Sequence, residues 1–310
     1  MDHTNVLDRA ALEGTFLPAS ISWAQLEPGI FDVGFGVVNA SPLELSYRNF
    51  SVGFKAEADV VPQKTMIGIV ADPRTQARWF GTPVDARMIA ATRTTIDIRS
   101  EGAGSFYQAT LDRAQLERNF PDAPDAVALS EDLEDVALVA DEMHARRLRS
   151  FMHRLFSVAR EPLAATPFGV PSKAISGSLV PLLASAVERF DQHALEPSKC
   201  LNRRLTAVRK CEIYMREHVD STVTLLELSE HAGMRSRSLI NAFEAVTGYS
   251  PMDYLKRLRL NGVHRALQAA DKTATRIIDV ATAWGFWHMG HFASDYRALF
   301  GVSPSQTLLS

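Results

Sequence analysis

LLELSEHAGMRSRSLINAFEAVTGYSP (225–251) and IIDVATAWGFWHMGHFASDYRALFGVSP (277–304) repeat one pattern, with one extra residue in the second copy. Each copy predicts a helix of about eight residues, a turn at Gly233 or Gly285, and a second helix of about eleven residues closed by a glycine. Glycine suits such turns because, without a Cβ, it adopts positive φ readily. The sequence therefore predicts two helix-turn-helix units.

A third helix is predicted between the two units, from Pro251 to about Ala270. It opens with a Ser-Pro pair that recurs at 303–304, and serine at the N-cap followed by proline is typical of a helix start. Nearly 20 helical residues span about 30 Å at 1.5 Å per residue. This length is close to one turn of DNA, about 34–36 Å, so two helices held at its ends are expected to enter successive major-groove segments.

The composition is that of a folded, multidomain chain. It has 310 residues, 46% hydrophobic and 22% charged, with a net charge of −3. No apolar stretch approaches the roughly 20 residues of a membrane-spanning helix and no leader pattern opens the chain, so we expect a cytoplasmic protein. Cys200 and Cys211 predict reduced, structural thiols. Residues 199–310 hold 15 Lys and Arg against 10 Asp and Glu, which favours a polyanionic partner for this part.

Three regions are predicted along the chain, giving an α+β multidomain fold. Residues 1–125 form a β-rich domain, because short β-prone runs over 20–111 alternate with turn residues, which favours antiparallel strands in a jelly-roll-like barrel. Residues 126–198 form a helical dimerisation or connector region, with helices over 131–160 and 179–193 that pack on the β domain or on a second subunit. Residues 199–310 form the all-α double helix-turn-helix domain.

Residues from about 203 to 308 resemble the DNA-binding domain of the AraC/XylS family of transcriptional regulators. The resemblance rests on the paired units, WGF at 284–286, the Phe292 and Tyr296 positions, and FGVSPSQ at 300–306. The run WGFWHMG at 284–290 is also similar to the subgroup of ethanolamine-utilisation regulators. The resemblance implies an N-terminal sensing or dimerisation domain, often a cupin-like β-barrel. It also implies a homodimer that binds double-stranded promoter or operator DNA, acts with RNA polymerase and usually activates transcription.

In the first unit, the residues expected to meet DNA lie on the second helix, over 236–247. Arg237 and Asn241 are the main candidates for base contacts, because arginine can bond guanine in bidentate fashion and asparagine can bond adenine. Arg235 and Ser236 are expected on phosphates at the helix start, and Ser238 faces outward with them.

In the second unit, the corresponding helix over 288–300 presents a less basic face, which favours phosphate contacts and shape readout. The family pattern places Met289 and Gly290 among the base-facing positions, and neither offers much hydrogen-bond readout. The outward residues expected to contact DNA are His288, His291, Ser294 and Arg297. The two histidines are three residues apart, but no cysteine or carboxylate cluster completes a metal site, so no metal is expected.

Other polar and aromatic residues have ordinary structural interpretations. Lys256, Arg257 and Arg259 are equally compatible with phosphate contacts and with solvated charges. The basic stretch that begins at His144 is expected on a solvated or dimer-rim face. The aromatic residues expected to fill the core beneath the second turn are Trp284, Phe286 and Trp287.

The function predicted from these features is an effector-responsive transcriptional activator that is not an enzyme and needs no cofactor. A repressor, or a transcription factor whose N-terminal domain is a ligand-independent dimerisation or partner-protein module, stays open. Methyl-accepting DNA-repair regulators need a zinc-bound cysteine cluster, which two helical cysteines cannot supply. Residues 4–143 contain no histidine, which argues against a metal-dependent cupin enzyme. Interior aromatic residues such as Trp23, Phe35, Tyr47 and Trp79 could instead surround a small organic effector.

Overall fold

A computed structural model describes residues 21–119, 136–158, 172–193 and 199–310 of the chain. The strands are β1 Ile21–Gln25, β2 Val33–Ala40, β3 Leu43–Phe50, β4 Phe54–Asp59, β5 Lys64–Val70, β6 Gln76–Trp79, β7 Thr82–Val84, β8 Met88–Thr92, β9 Thr95–Glu101, β10 Gly104–Asp112 and β11 Val136–Ala140. The helices are α1 Arg113–Asn119, α2 Glu142–Val158, α3 Ser172–His193, α4 Lys199–Glu217, α5 Leu225–Ala232, α6 Ser236–Thr247, α7 Pro251–Gln268, α8 Ile277–Ala283, α9 Met289–Phe300 and α10 Pro304–Leu309.

The strands form two antiparallel sheets, with the orders β1-β4-β9-β6-β7 and β11-β8-β5-β10-β3-β2. Within the described residues no hydrogen-bonded ladder joins the sheets, so the predicted cupin-like barrel is not closed. Large inward side chains such as Phe50, Phe54 and Trp79 keep two facing sheets about 10 Å apart, too far for edge strands to pair. The strand content of the N-terminal region is as predicted, and its closure into a barrel is corrected to an open two-sheet arrangement.

Side chains of the six-stranded sheet alternate between its two faces. On β3, Leu43 and Leu45 pack with α2 and α3, and Tyr47 lies against the same cluster. Arg48 and Phe50 point to the opposite face of β3 and line the space between the sheets. Tyr47 therefore faces the helices rather than the interior. Phe35, also expected inside, is 42% exposed on the edge strand β2.

The connector differs from its prediction at both helices. The helix expected over 131–160 begins only at Glu142, because Val136–Ala140 forms strand β11, which pairs with β8. Five apolar residues in succession are compatible with a short buried strand, and pairing with β8 decides for it. Asp141 then caps α2 by accepting a hydrogen bond from the His144 backbone N–H at 3.0 Å. Helix α3 starts at Ser172, before the start of the helix expected over 179–193. Residues 120–135 and 159–171 lie outside the described residues.

The prediction of two helix-turn-helix units is confirmed by α5 with α6 and α8 with α9. Helix α6 has the expected bounds, and α7 joins the units, ending at Gln268. Tyr254 and Leu255 of α7 belong to the core of the first unit, whereas Leu260 and Val263 belong to the core of the second. One continuous helix is therefore part of both hydrophobic cores and fixes how the two units are placed relative to each other.

Candidate nucleic-acid interface

The first unit buries one face of α6 and exposes the other. Leu239, Ala242 and Phe243 are fully buried against α4, α5 and α7. The turn before α6 is at Gly233, whose φ of 62° lies in the left-handed region. The exposed face contains the predicted contact residues Arg235, Arg237, Ser238 and Asn241. These side chains gather at the N-terminal half of the helix, where backbone N–H groups also point outward.

Ser236 differs from the other predicted contacts of the first unit because its side chain is half-buried. Its hydroxyl is hydrogen-bonded to that of Ser229 on α5 at 3.0 Å, which ties the two helices across the turn. A capping box is present at the start of α5, with Glu227 accepting from the Thr224 backbone N–H at 2.7 Å. The first unit is thus a pre-ordered element, and Ser236 is expected to offer its backbone N–H rather than its hydroxyl to a phosphate.

The second unit has the same architecture with a less charged surface. Phe292, Tyr296 and Leu299 of α9 are buried, and the turn at Gly285 has φ 79°. His288, which precedes the first residue of α9, is exposed, as are His291, Ser294 and Arg297. Asp295 on the flank of α9 is 3.4 Å from Lys256 of α7, so its negative charge is offset within the protein.

A chain of hydrogen bonds positions α9 from inside the second unit. Nδ1 of His264 on α7 lies 2.6 Å from the Tyr296 hydroxyl, which donates to Thr307 of α10 at 2.9 Å. Burial lowers the pKa of His264 to about 4 and raises the pKa of Tyr296 to about 12. Both groups are therefore neutral near pH 7, and α9 is held by polar contacts without a buried charge.

The prediction for Trp287 is wrong. Trp284 and Phe286 pack against the core of the second unit as expected, but Trp287 is 70% exposed. It directly precedes His288 at the entrance to α9. The aromatic run concealed this, because composition alone does not show where the turn ends and the outward face begins. A large exposed indole beside a polar helix face favours an interaction surface, so Trp287 joins the candidate contact residues.

Lys256, Arg257 and Arg259, the basic residues of α7 singled out in the sequence, each have a partner within the protein. Lys256 pairs with Asp295, and Arg257 donates to the Leu26 carbonyl at 2.9 Å. Arg259 donates to the carbonyl of Ser221. All three side chains are only half-buried, so phosphate contacts and partial solvation are both compatible with these contacts.

Residues 23–29, here termed the bridging segment, run from β1 of the N-terminal domain and contact both helix-turn-helix units. The Gln25 side-chain amide donates to the carbonyl of Leu299 at the end of α9, at 2.8 Å. The Leu26 carbonyl accepts from the hydroxyl of Tyr249, which follows α6, at 2.8 Å. These contacts lie at the C-terminal ends of α6 and α9, away from the exposed N-terminal halves of the two helices.

A buried ionic cluster forms a second contact between the N-terminal domain and the helical domain. Lys55 of β4, which is 7% exposed, lies 2.6 Å from Glu212 of α4, which is 1% exposed. Lys55 is also 2.8 Å from Glu57 and 3.8 Å from Asp97, and Arg216 pairs with Glu57. Burial raises the pKa of Asp97 to about 6. These three carboxylates lie close enough together to hold a metal ion. The Lys55 ammonium contacts all of them, so the cluster already has a cationic partner within the protein.

Asp141, His144 and Ser185 form a hydrogen-bonded chain that resembles a hydrolase triad only in residue type. The two ring nitrogens of His144 lie 2.9 Å from the Asp141 carboxylate and 2.7 Å from the Ser185 hydroxyl. Ser185 lies within α3, where backbone N–H groups are used in helical hydrogen bonds and offer no oxyanion hole. His144 is 3% exposed, so the expected solvated or dimer-rim position is wrong for this residue. The chain joins α2 to α3.

Comparison with known proteins agrees with this geometry. Residues 228–310 match the family model described as "Helix-turn-helix domain". The XylDLEGF operon transcriptional activator 2 of Pseudomonas putida is 34% identical over 137 residues, covering 44% of this chain and 82% of that protein. The chain belongs to the AraC/XylS family. This is a family of DNA-binding transcription regulators.

Two further comparisons show how far the similarity extends. The probable thc operon regulatory protein of Rhodococcus erythropolis is 29% identical over 187 residues, covering 59% of this chain and about half (53%) of that protein. The crystal structure of a probable AraC family transcriptional regulator from Rhodopseudomonas palustris is 39% identical, covering 33% of this chain and 94% of that one, with a TM-score of 0.31. Across the described residues, no helix is both long and apolar enough to cross a membrane.

Proposed function

We propose that the protein is a sequence-specific transcriptional regulator, organised as a sensor (1–125), a connector (126–198) and a DNA-binding domain (199–310). The observation that carries this proposal is the pair of exposed polar helix faces, on α6 and α9, that share one connecting helix. A helix that packs one face in the protein core and exposes polar side chains along its N-terminal half can enter a major groove. Two such helices on one chain suit two successive groove segments of double-stranded DNA.

The first unit supplies most of the sequence readout. Arg237 and Asn241 contact base edges, since both are exposed on one face of α6 and carry paired hydrogen-bonding groups. Arg235 and Ser238 contact phosphates at the helix start, together with the backbone of Ser236. The second unit binds mainly through phosphates and groove shape, using His288, His291, Ser294 and Arg297.

The N-terminal domain senses a small organic effector and transmits its binding through the bridging segment. The Trp23 side chain lines a cavity between the two sheets, and its carbonyl accepts from Arg265 of α7 at 3.1 Å. The residues that follow contact both units. A ligand that moves Trp23 therefore shifts the population of arrangements in which α6 and α9 are placed for binding. Activation through RNA polymerase and action as a homodimer complete the proposal and follow the family.

Mapping the genomic DNA fragments retained by the purified protein, at stated salt, tests this function. A few enriched promoters are expected, because the affinity for specific sites exceeds the affinity for non-specific DNA by orders of magnitude. Arg237→Ala is expected to weaken binding to those promoters by about 1–3 kcal/mol. Arg74→Ala is the matched control, since Arg74 is 91% exposed in the N-terminal domain and pairs only locally with Asp72. Retention that is uniform, or equal for both variants, contradicts the proposal.

A further inference from the structure

The space between the two sheets contains a cavity of about 80 Å³. Its walls are mainly aromatic and aliphatic side chains contributed by both sheets, among them Phe50, Phe54 and Ile98. Gly68 of β5 leaves one wall open, because a Cβ at this position would have only the Tyr107 carbonyl oxygen near it, at 4.0 Å. The cavity is apolar and is built from the regular strands of the domain.

Among the described residues that line this cavity, Arg48 of β3 is the one basic group. Its guanidinium donates to the Gln108 side chain at 2.6 Å, and Arg48 takes part in no ion pair among the described residues. Burial lowers its pKa to about 10, with Glu44 opposing the shift, so Arg48 is cationic near pH 7. A cation in an apolar cavity with no carboxylate in direct contact is unfavourable. Glu44 acts on Arg48 only from beyond ion-pair distance, so the cavity contains a positive charge that is not directly paired among the described residues.

Two further donors are unsatisfied in the same cavity. The indole Nε1 atoms of Trp23 and Trp79 are buried and have no hydrogen-bond partner within the part of the chain that the structure describes, and both side chains line the space. An indole N–H donates and never accepts. The carboxylate in the lining, Asp85, is paired with Arg87 at 2.6 Å. The two indole N–H groups in the cavity lining are therefore hydrogen-bond donors that can bind an acceptor on a ligand.

We propose that this cavity binds a small monocarboxylate with a compact apolar body, with Arg48 as the partner of the carboxylate. This rests on the proposed function and names the chemical class of its effector. One cation matches one negative charge, the indole N–H groups supply further donors, and the apolar walls bury the rest of the ligand. An engineered apolar cavity of about 150 Å³ accepts benzene. The present cavity has about half that volume, so it takes a short branched chain rather than a six-membered ring.

Thermal unfolding of the full chain tests the class of ligand with acid and amide pairs. Isobutyrate and isovalerate are each compared with their primary amides, which keep the apolar body and lose the charge. At about 100 times the dissociation constant, the acid that fits stabilises the folded chain by about 2.7 kcal/mol and is expected to raise Tm by about 4 °C. Its amide is expected to leave Tm nearly unchanged.

Two variants and a control locate the site. Arg48→Met is expected to fold, because it removes a cation that has no ion pair, and to lose the response to the acid. Gly68→Leu is expected to lose the response by filling the cavity. Arg74→Met, an exposed arginine of the same domain, is expected to respond as the unchanged protein does.

DNA retention in the same samples separates this inference from the proposed function. If promoter binding is present but neither acid raises Tm, the ligand class is wrong and the regulator stands. Equal stabilisation by acid and amide, or a full response in Arg48→Met, also overturns the inference. If no promoter is retained with or without acid, while the acid still stabilises the protein through Arg48, the proposed regulator function fails and the binding site stands.

Discussion

Replacing Lys55 by methionine is expected to uncouple the N-terminal domain from the helix-turn-helix domain. Lys55 is the hydrogen-bonded partner of Glu212, at 2.6 Å, and Glu212 is 1% exposed. Breaking a buried ion pair by removing one partner costs about 3–5 kcal/mol, because the remaining charge is left without compensation. Removing Glu212 instead is expected to cost less, about 1–3 kcal/mol, because Lys55 keeps Glu57 at 2.8 Å.

The double variant Lys55→Met/Glu212→Leu makes the expectation specific to this pair. Replacing both members of a buried pair by apolar residues is often neutral or stabilising, so the double variant is expected to recover most of the loss. With at most about 1 kcal/mol lost in the double variant, the resulting coupling energy between the two positions is about 3–7 kcal/mol.

Urea unfolding followed by tryptophan fluorescence measures these free energies in both domains at once. Trp23 and Trp79 belong to the N-terminal domain, and Trp284 and Trp287 to the second helix-turn-helix unit. The unchanged protein is expected to unfold in one transition and Lys55→Met in two, as the domains separate. Arg74→Met, which breaks an exposed pair, is the control and is expected to change stability by less than about 0.5 kcal/mol. A loss below about 1 kcal/mol in Lys55→Met, or losses that simply add in the double variant, would refute the reasoning.

Three further predictions concern the second unit. Gly262→Ala is expected to destabilise the protein by about 1–3 kcal/mol in urea unfolding, because a Cβ would overlap the Trp284 ring; unchanged stability would show that the ring has room to move. The pKa of His264 is lowered to about 4 from 6.5, so the contribution of this histidine to folding stability is complete above pH 6.5 and is lost as the pH falls toward 4, by up to about 3 kcal/mol. His264→Phe is expected to flatten this part of the stability–pH curve. An equal slope in both proteins would assign the pH dependence to another group. Trp287→Ala is expected to weaken DNA binding by about tenfold with Tm unchanged; equal DNA affinity would remove the indole from the contact surface.

Most of the helical domain could be predicted from the sequence because its signals are local. The caps at Thr224, Ser250 and Ser303, and glycine at the turns, each depend on a few neighbouring residues. The repeat then placed the two units in one pattern without any tertiary information. Outward positions on α6 and α9 followed from helical periodicity alone.

The N-terminal domain was predicted less completely because its arrangement depends on distant pairs. Whether strands close into a barrel is decided by edge pairing between residues far apart in sequence, for which no local signal exists. Strand β11 was missed because five apolar residues fit a helix and a strand equally well until a pairing partner is known. The burial of Lys55 and the position of Arg48 in the cavity were not predicted for the same reason. A lone basic residue in a strand is expected to be exposed until its tertiary contacts are known.

The second helix-turn-helix unit has few charged groups on its exposed face, so by itself it is expected to bind DNA weakly. Its attachment to the first unit changes this, because binding by Arg237 and its neighbours makes the second contact intramolecular. The gain depends on whether α9 is placed one groove segment away, and that placement is held by α7 and by the bridging segment at the ends of α6 and α9. On the proposed function, an effector in the N-terminal domain is therefore expected to alter DNA affinity without touching the DNA-contacting residues, by changing how often α9 is held in a productive position.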